Sequence, residues 1–99
     1  MPITRDDVLR VLEGKREEIR SYGVRRIALF GSCARGESKA ESDLDFVVDF
    51  QEKSFDAYMG LKEYLENLFG CRVDLVISDA IKPRLRTAIL QEAIHVPGL

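Results

Sequence analysis

The stretch LFGSCARGESKAESDLDFVVDF, residues Leu29–Phe50, joins two apolar runs through a Gly-Ser turn and an Asp-x-Asp pair. The first run ends at Gly31 and Ser32, and the second begins between Asp43 and Asp45. Short apolar runs bounded by glycine and polar residues are typical of buried strands. The stretch therefore predicts two strands, with a Gly-Ser turn after the first and two carboxylates at the start of the second.

The second strand, predicted over Leu44–Phe50, has two chemically different faces because side chains alternate along a strand. One face is apolar and the other carries the acids: Leu44, Phe46, Val48 and Phe50 against Asp43, Asp45, Val47 and Asp49. A third strand over Arg72–Ile77 turns Asp74 away from its apolar face in the same way. The α-carbons of Asp43 and Asp45 are then roughly 6.6 Å apart, so their carboxylates can converge.

Helical spacing accounts for most of the remaining chain. A capping box at Thr4 predicts a first helix over Arg5–Tyr22, and Ile27–Phe30 forms the first strand. Ser54 and Gly70 bound a second long helix, and a last helix begins at Pro83 with an apolar stripe of Leu85, Ile89 and Ala93. The order α-β-(turn)-β-α-β-α predicts one α/β or α+β domain over residues 1–99, with a small mixed sheet of three or four strands flanked by helices.

Composition excludes several functional classes. The chain has 99 residues and a net charge of −2, so a general affinity for nucleic acid is not expected. Two cysteines without a signal sequence favour a reducing compartment, and we expect a cytoplasmic protein without disulfides. One histidine and no Cys-x-x-Cys make a zinc site unfavourable. No apolar run approaches the ~20 residues that span a bilayer, so no membrane association is expected.

Three aspartates on one polar face favour a site for a hard cation. Carboxylate oxygens are ligands that Mg²⁺ prefers, and two such ions ~3.5–4 Å apart can clamp the attacking and leaving oxygens of a phosphoryl transfer. Asp43 and Asp45 can hold such ions, and Asp74 can complete the site or accept a proton from an attacking hydroxyl. Taken alone, an Asp-x-Asp pair is commonly a solvated turn. The conjunction with Asp74 and the Gly-Ser turn favours metal-dependent chemistry.

The Gly31-Ser32 turn suits phosphate. Glycine permits close approach to the backbone, and the amide and hydroxyl of Ser32 can donate to phosphate oxygens. Arg35, one turn further on, can reach the same phosphate or a pyrophosphate leaving group. A Gly-Ser pair after a strand is by itself commonly only a turn, so this assignment depends on the neighbouring acids.

Gly31-Ser32, ten intervening residues and Asp43-x-Asp45 resemble the signature of the polymerase-β-type nucleotidyltransferase superfamily. The string FGSCARGESKAESDLDFVV is similar to the minimal members, called MNT domains or MntA-type antitoxins. The VDLV segment around Asp74 and the ending LRTAILQEAIHV are also similar to that group, so the resemblance covers almost the whole chain.

The resemblance implies the polymerase-β-type nucleotidyltransferase fold and a role for each matching residue. Gly31 and Ser32 would hold the nucleotide phosphates, and Asp43 and Asp45 would ligate Mg²⁺. Asp74 would be the third acid, completing the metal site and activating the acceptor. Arg35 matches the arginine usual after the Gly-Ser portion and would join the nucleotide-binding residues.

The implied reaction is transfer of AMP from ATP, with Mg²⁺, to a tyrosine of a partner HEPN-domain ribonuclease toxin, which silences it. A chain this short has no room for a separate acceptor-binding domain, so the acceptor would be bound by a partner or be the partner itself. The alternative is an antitoxin that masks its toxin without chemistry. A third possibility, terminal transfer to RNA, is disfavoured by the acidic composition and the lack of an RNA-binding domain.

Overall fold

The computed structural model describes residues 4–36, 43–52 and 54–96. Residues 37–42, part of the spacing between Ser32 and Asp43, lie outside this description. In the part of the chain that the structure describes, five helices and four strands follow one another, with a 3₁₀ turn at Ser78–Ala80 after the third strand. The elements are α1 (Arg5–Gly14), α2 (Arg16–Arg20), β1 (Val24–Phe30), α3 (Gly31–Ala34), β2 (Leu44–Phe50), α4 (Phe55–Phe69), β3 (Val73–Ile77), α5 (Pro83–Glu92) and β4 (Ile94–His95).

The four strands form one mixed sheet in the order β3-β2-β1-β4. β1 pairs antiparallel with β2 and β4, whereas β2 and β3 are parallel and are connected through α4. A parallel pair needs such a crossover connection, and α4 provides it. The predicted mixed sheet with flanking helices is confirmed, and β4 is the fourth strand that the prediction left open.

The sheet separates a large core from a small one. Beneath one face, α1, α2 and α4 pack against the apolar side of the strands, with Val8, Leu12, Ile19, Leu61 and Leu65 all fully buried. On the other face, Ala28, Val47 and Ile81 form a smaller cluster, against which Ile89 and Ala93 pack. The second face is therefore only partly covered, and the part left open is where the acids lie.

The first helix differs from its prediction. Instead of one helix over Arg5–Tyr22, α1 ends at Gly14 and α2 begins at Arg16, with Lys15 at φ −113° and ψ 16° between them. Gly14 is a poor helix former, and this weak point allows the chain to turn. The predicted capping box is present, since Thr4 Oγ1 accepts from the Asp7 N–H at 3.2 Å and Asp7 Oδ2 accepts from the Thr4 N–H at 3.3 Å.

Other boundaries agree more closely. Ser54 caps α4, Gly70 ends it at φ +66°, and Pro83 lies in the first turn of α5. β1 begins at Val24, three residues before the predicted Ile27, and the predicted stripe on α5 is incomplete because Leu85 is half-exposed. Within the ranges that the structure describes, no helix combines the length and apolar character needed to cross a bilayer.

Candidate active site

The three aspartates come from two neighbouring strands. Asp45 lies on β2 directly beside Asp74 on the parallel strand β3, and Asp43 immediately precedes β2. On its other side Asp45 is paired with Phe30, the residue before the Gly31-Ser32 turn. Neighbouring strands are about 4.8 Å apart, so this register brings acids that are separated in sequence to one edge of the open face.

Burial and like charge both act on Asp45. Asp43 and Asp74 are exposed, whereas Asp45 is half-buried. The pKa of Asp45 is raised, chiefly because burial disfavours its charged form, and further because Asp74 and Asp43 carry negative charge nearby. Arg35 opposes this shift in pKa and Glu92 adds to it. A cation would relieve the repulsion among these carboxylates.

Gly31 is required by its contact with Asp45. Its φ is +79°, a conformation that favours glycine, and a Cβ built there would overlap Oδ2 of Asp45 and lie 3.0 Å from Cγ. The sequence suggested that glycine at this position lets a phosphate approach the backbone. The structure shows that the group approaching most closely is the carboxylate of Asp45, so turn and acid are packed as one unit.

The turn is formed by α3, whose residues Cys33 and Ala34 are buried. Ser32 is half-buried, and its hydroxyl makes no hydrogen bond within the described ranges, so it can donate to a ligand. Arg35 follows α3 and forms an ion pair with Glu92, at 2.7 Å between Nη1 and Oε1. The six predicted site residues thus lie around the end of β1 and the first half of β2 and β3.

Glu92 is the site residue that sequence reasoning missed. It ends α5, 57 positions from Arg35, and Oε1 also accepts a hydrogen bond of 2.7 Å from the Gly31 N–H. In the sequence it is one acid among the polar residues of an amphipathic helix. Only the chain folding that places α5 over the open face of the sheet brings it to the turn.

The acids fit Mg²⁺ as partial ligands. Among the residues described, no three histidine, cysteine or acidic side chains converge closely enough to form a complete metal-ligand cluster. Asp43, Asp45 and Asp74 share one face and interact electrostatically without closing around one point. Mg²⁺ commonly takes one or two carboxylates and completes its shell with waters and substrate phosphates, so an open set of hard oxygen ligands suits it.

A family model described as "Nucleotidyltransferase domain" matches residues 12–96. The chain belongs to this family. The match spans the turn, all three aspartates and Glu92. It confirms the prediction, made from the Gly-Ser and Asp-x-Asp motifs, that the chain is an enzyme of the nucleotidyltransferase class.

Two relatives are similar over most of their length. The chain is 41% identical over 96 residues to the protein adenylyltransferase MntA of Thermococcus cleftensis, covering 95% of this chain and 97% of that protein. A solved structure described as a minimal nucleotidyltransferase is 43% identical, with a TM-score of 0.73, covering 87% of this chain and 93% of the other. These relatives confirm the resemblance to minimal nucleotidyltransferases and the predicted fold.

A more distant likeness extends the fold comparison. The structure of a tri-AMPylated HEPN toxin of Shewanella oneidensis in complex with an MNT antitoxin matches with a TM-score of 0.65. It is 21% identical and covers 92% of this chain and 73% of the other. At this identity the likeness shows the fold alone.

Proposed function

We propose that this chain is a Mg²⁺-dependent protein adenylyltransferase that transfers AMP from ATP to a tyrosine hydroxyl of a HEPN-type toxin, and so acts as an antitoxin. The observation that carries the proposal is the register of β2 and β3. It places Asp45 beside Asp74 on the open face of the sheet, next to the turn at Gly31. This arrangement brings carboxylates and potential phosphate-binding donors to one edge.

Mg²⁺ ions would each be held by one or two of the carboxylates of Asp43, Asp45 and Asp74, and when bound they would neutralise charge on the triphosphate. The raised pKa of Asp45 is in keeping with this assignment: burial is its chief cause, and the nearby negative charges of Asp74 and Asp43, which a cation would offset, add to it. The turn supports it too, since Gly31 is packed against the carboxylate of Asp45.

The chain's own residues would act on the nucleotide and on the acceptor. The turn at Gly31 brings the Ser32 hydroxyl beside the acids. There the hydroxyl would donate a hydrogen bond to a phosphate oxygen. Asp74 is exposed and can accept the proton of an incoming tyrosine hydroxyl. The tyrosine oxygen then forms a bond to the α-phosphorus, the bond from that phosphorus to the β-phosphate oxygen breaks, and pyrophosphate leaves.

The choice of a protein acceptor has two supports. The relative from Thermococcus cleftensis, similar over nearly its whole length, is named as a protein adenylyltransferase. The Shewanella complex contains an MNT antitoxin and a HEPN toxin that carries AMP groups, although its antitoxin shares only the fold with this chain. Both favour a protein over an RNA end as the acceptor.

The test is adenylyl transfer with matched aspartate variants on β2. The purified chain is incubated with Mg²⁺, α-³²P-labelled ATP and the protein encoded beside it, tested as the HEPN-type acceptor, and the labelled residue is identified by mass spectrometry. D43N/D45N removes two proposed ligands, and we expect label transfer to fall at least about 100-fold, since even outer-shell partners of metals are worth 10–100-fold. D49N is the control, because Asp49 lies on the same strand face but pairs with Arg25 at 4.0 Å.

The expected result is label on a tyrosine of the HEPN protein with the wild type and D49N, and none with D43N/D45N or with EDTA. Tight binding of the partner without label from any nucleotide would contradict the proposal and indicate a masking antitoxin. Label on RNA instead of protein would also contradict it and indicate a terminal transferase.

A further inference from the structure

One carboxylate oxygen joins α5 to the proposed phosphate-binding turn. Oε1 of Glu92 accepts a hydrogen bond of 2.7 Å from the Gly31 backbone N–H and another of 2.7 Å from Nη1 of Arg35. Both distances are at the short end of the range for charge-assisted hydrogen bonds. The contact joins the end of α5 to the turn that follows β1.

The turn needs contacts from outside itself. α3 has only four residues, and its backbone closure within the turn includes a hydrogen bond of 3.2 Å from the Arg35 N–H to the Gly31 carbonyl. Helical segments this short are not stable alone. At the far end, Arg5 Nη1 donates to the Ala34 carbonyl at 3.3 Å. Glu92 therefore holds the entrance of the turn, where Gly31 has φ +79° and packs against Asp45.

The contact of Glu92 with the turn also includes the Arg35 guanidinium, which the sequence predicts to bind phosphate. An oxygen of Glu92 already accepts from Arg35, and its negative charge would repel a triphosphate placed on the same donors. An exposed ion pair alone stabilises little. Here the carboxylate also satisfies a backbone N–H at the first position of a helix, a group with no partner inside the helix. The geometry is that of a support for the turn.

We propose that Arg35 and Glu92 are a positioning pair for the reaction. Glu92 accepts from the Gly31 N–H, and Arg35 holds Glu92 in place. Together they fix the position of Ser32 relative to Asp45 without touching the phosphates. The inference rests on the proposed function, since it concerns the same turn. It assigns to Arg35 a role through Glu92 in place of direct contact with the nucleotide.

The first measurement is hydrogen exchange of the Gly31 amide by NMR, in the full chain without nucleotide or acceptor. E92A removes the acceptor, and we expect Gly31 exchange to accelerate at least about tenfold. R35A should give a smaller acceleration, because the carboxylate remains but loses its second partner. E92Q retains an oxygen that can accept from the Gly31 N–H, so its exchange should lie between wild type and E92A. Q91A, the preceding exposed residue of α5, is the control and should leave Gly31 unchanged.

The second measurement separates kcat from KM for ATP in the transfer assay. A positioning pair predicts that E92A and R35A each lower kcat about 10–100-fold with little change in KM, since misplacing a reacting group by ~1 Å can cost about 100-fold. The double variant R35A/E92A should be no worse than the more impaired single variant, because the two residues act as one unit. E92Q should recover much of the lost kcat.

Direct binding of phosphate by Arg35 predicts the opposite pattern. R35A would then raise KM for ATP, while E92A would release the guanidinium and lower KM, and this result would overturn the inference. Unchanged Gly31 exchange in both E92A and E92Q would also overturn it. The exchange measurement needs no activity, so a chain that adenylylates nothing can still show the Gly31 effect, and failure of the proposed function remains distinguishable from failure of the pair.

Discussion

The two faces of β2 use alternate residues of one strand for opposite purposes. Leu44, Phe46, Val48 and Phe50 face the large core, and all are buried. On the other face Asp45 and Asp49 are half-buried and Asp43 is exposed, and Val47 alone is buried, in the small cluster with Ala28 and Ile81. The period of two along a strand thus separates packing from chemistry within eight residues, from Asp43 to Phe50.

The difference has an energetic side. The inner face stabilises the fold through apolar burial. On the outer face the pKa of Asp45 is raised, chiefly by its burial and further by the negative charges of Asp74 and Asp43. Nothing in the packing of the sheet requires those acids. We therefore expect substitutions on the inner face to cost stability, and substitutions of the site acids to cost activity while sparing or improving stability.

The largest expected effect on stability is that of Phe46→Ala. Phe46 is fully buried and its ring stacks on Phe69 with centroids 6.1 Å apart. Removing a buried aromatic side chain typically costs about 3–5 kcal/mol in free energy of unfolding, which urea denaturation measures. Val47 is the next residue and lies on the opposite face of β2, and Val47→Ala should cost about 1–2 kcal/mol. Equal losses for the two variants would show that the faces contribute equally to stability.

Gly31→Ala should have the next largest effect, at the point where the two functions meet. The positive φ costs about 1–2 kcal/mol for a residue with a Cβ, and the new methyl group must displace the Asp45 carboxylate. We expect both lower stability and lower adenylyl transfer, measured on the same preparation. Gly14→Ala is the control, since nothing lies within 4 Å of its Cβ position, and it should be neutral or stabilise by up to about 1 kcal/mol. Full activity of Gly31→Ala would contradict the claim that the close packing of the turn against the Asp45 carboxylate is needed for activity.

Tyr58→Phe tests how firmly α4 holds the strand that carries Asp74. The Tyr58 hydroxyl donates to the Leu75 carbonyl on β3 at 2.6 Å. Loss of one such hydrogen bond should lower the free energy of unfolding by about 1 kcal/mol. Tyr22→Phe is the comparison, because the Tyr22 hydroxyl makes no hydrogen bond within the described part of the chain, and it should stay within about 0.5 kcal/mol of wild type. Equal effects would mean that the bond to Leu75 adds nothing.

The sequence was most informative where one period continued without interruption. Alternation over Leu44–Phe50 predicted β2 with its correct bounds, and helical spacing between Ser54 and Gly70 predicted α4. It was least informative at short or interrupted elements. β4 has only two residues, and the break at Lys15 leaves the apolar spacing of the first helix nearly unchanged.

The residues of the candidate site also differ in how far the sequence predicts them. The Gly-Ser and Asp-x-Asp motifs are local, so the sequence alone indicates Gly31, Ser32, Asp43 and Asp45 as site residues. Asp74 could be proposed because a second strand exposes it by the same alternation. Glu92 could not, because its contact with Gly31 spans 61 positions and depends on how α5 crosses the sheet. Long-range contacts of this kind leave no periodic trace in the sequence.

Asp45→Asn should have the smallest effect on the free energy of unfolding. It tests most directly whether the acidic face of β2 lowers stability. Because the folded-state pKa of Asp45 is raised, the folded protein binds more protons than the unfolded chain between the unfolded pKa and the folded pKa. Stability from this group is therefore fully present below the unfolded pKa of about 3.9, and it is lost as pH rises through the folded value. Asparagine cannot ionise, so with EDTA present the variant should be more stable than wild type at pH 7, by up to about 1 kcal/mol for a partly exposed group. At pH 3 the two should be alike.

Urea unfolding at both pH values measures this difference, with Asp49→Asn as the matched control. Asp49 pairs with Arg25 at 4.0 Å, so its replacement should give no gain at pH 7. A gain for Asp45→Asn that is the same at pH 3 and pH 7 would assign the effect to packing instead of charge. A gain in stability confined to pH 7 would show that the charged acid on the outer face of β2 lowers the stability of the fold. This is expected of a residue whose role is chemical.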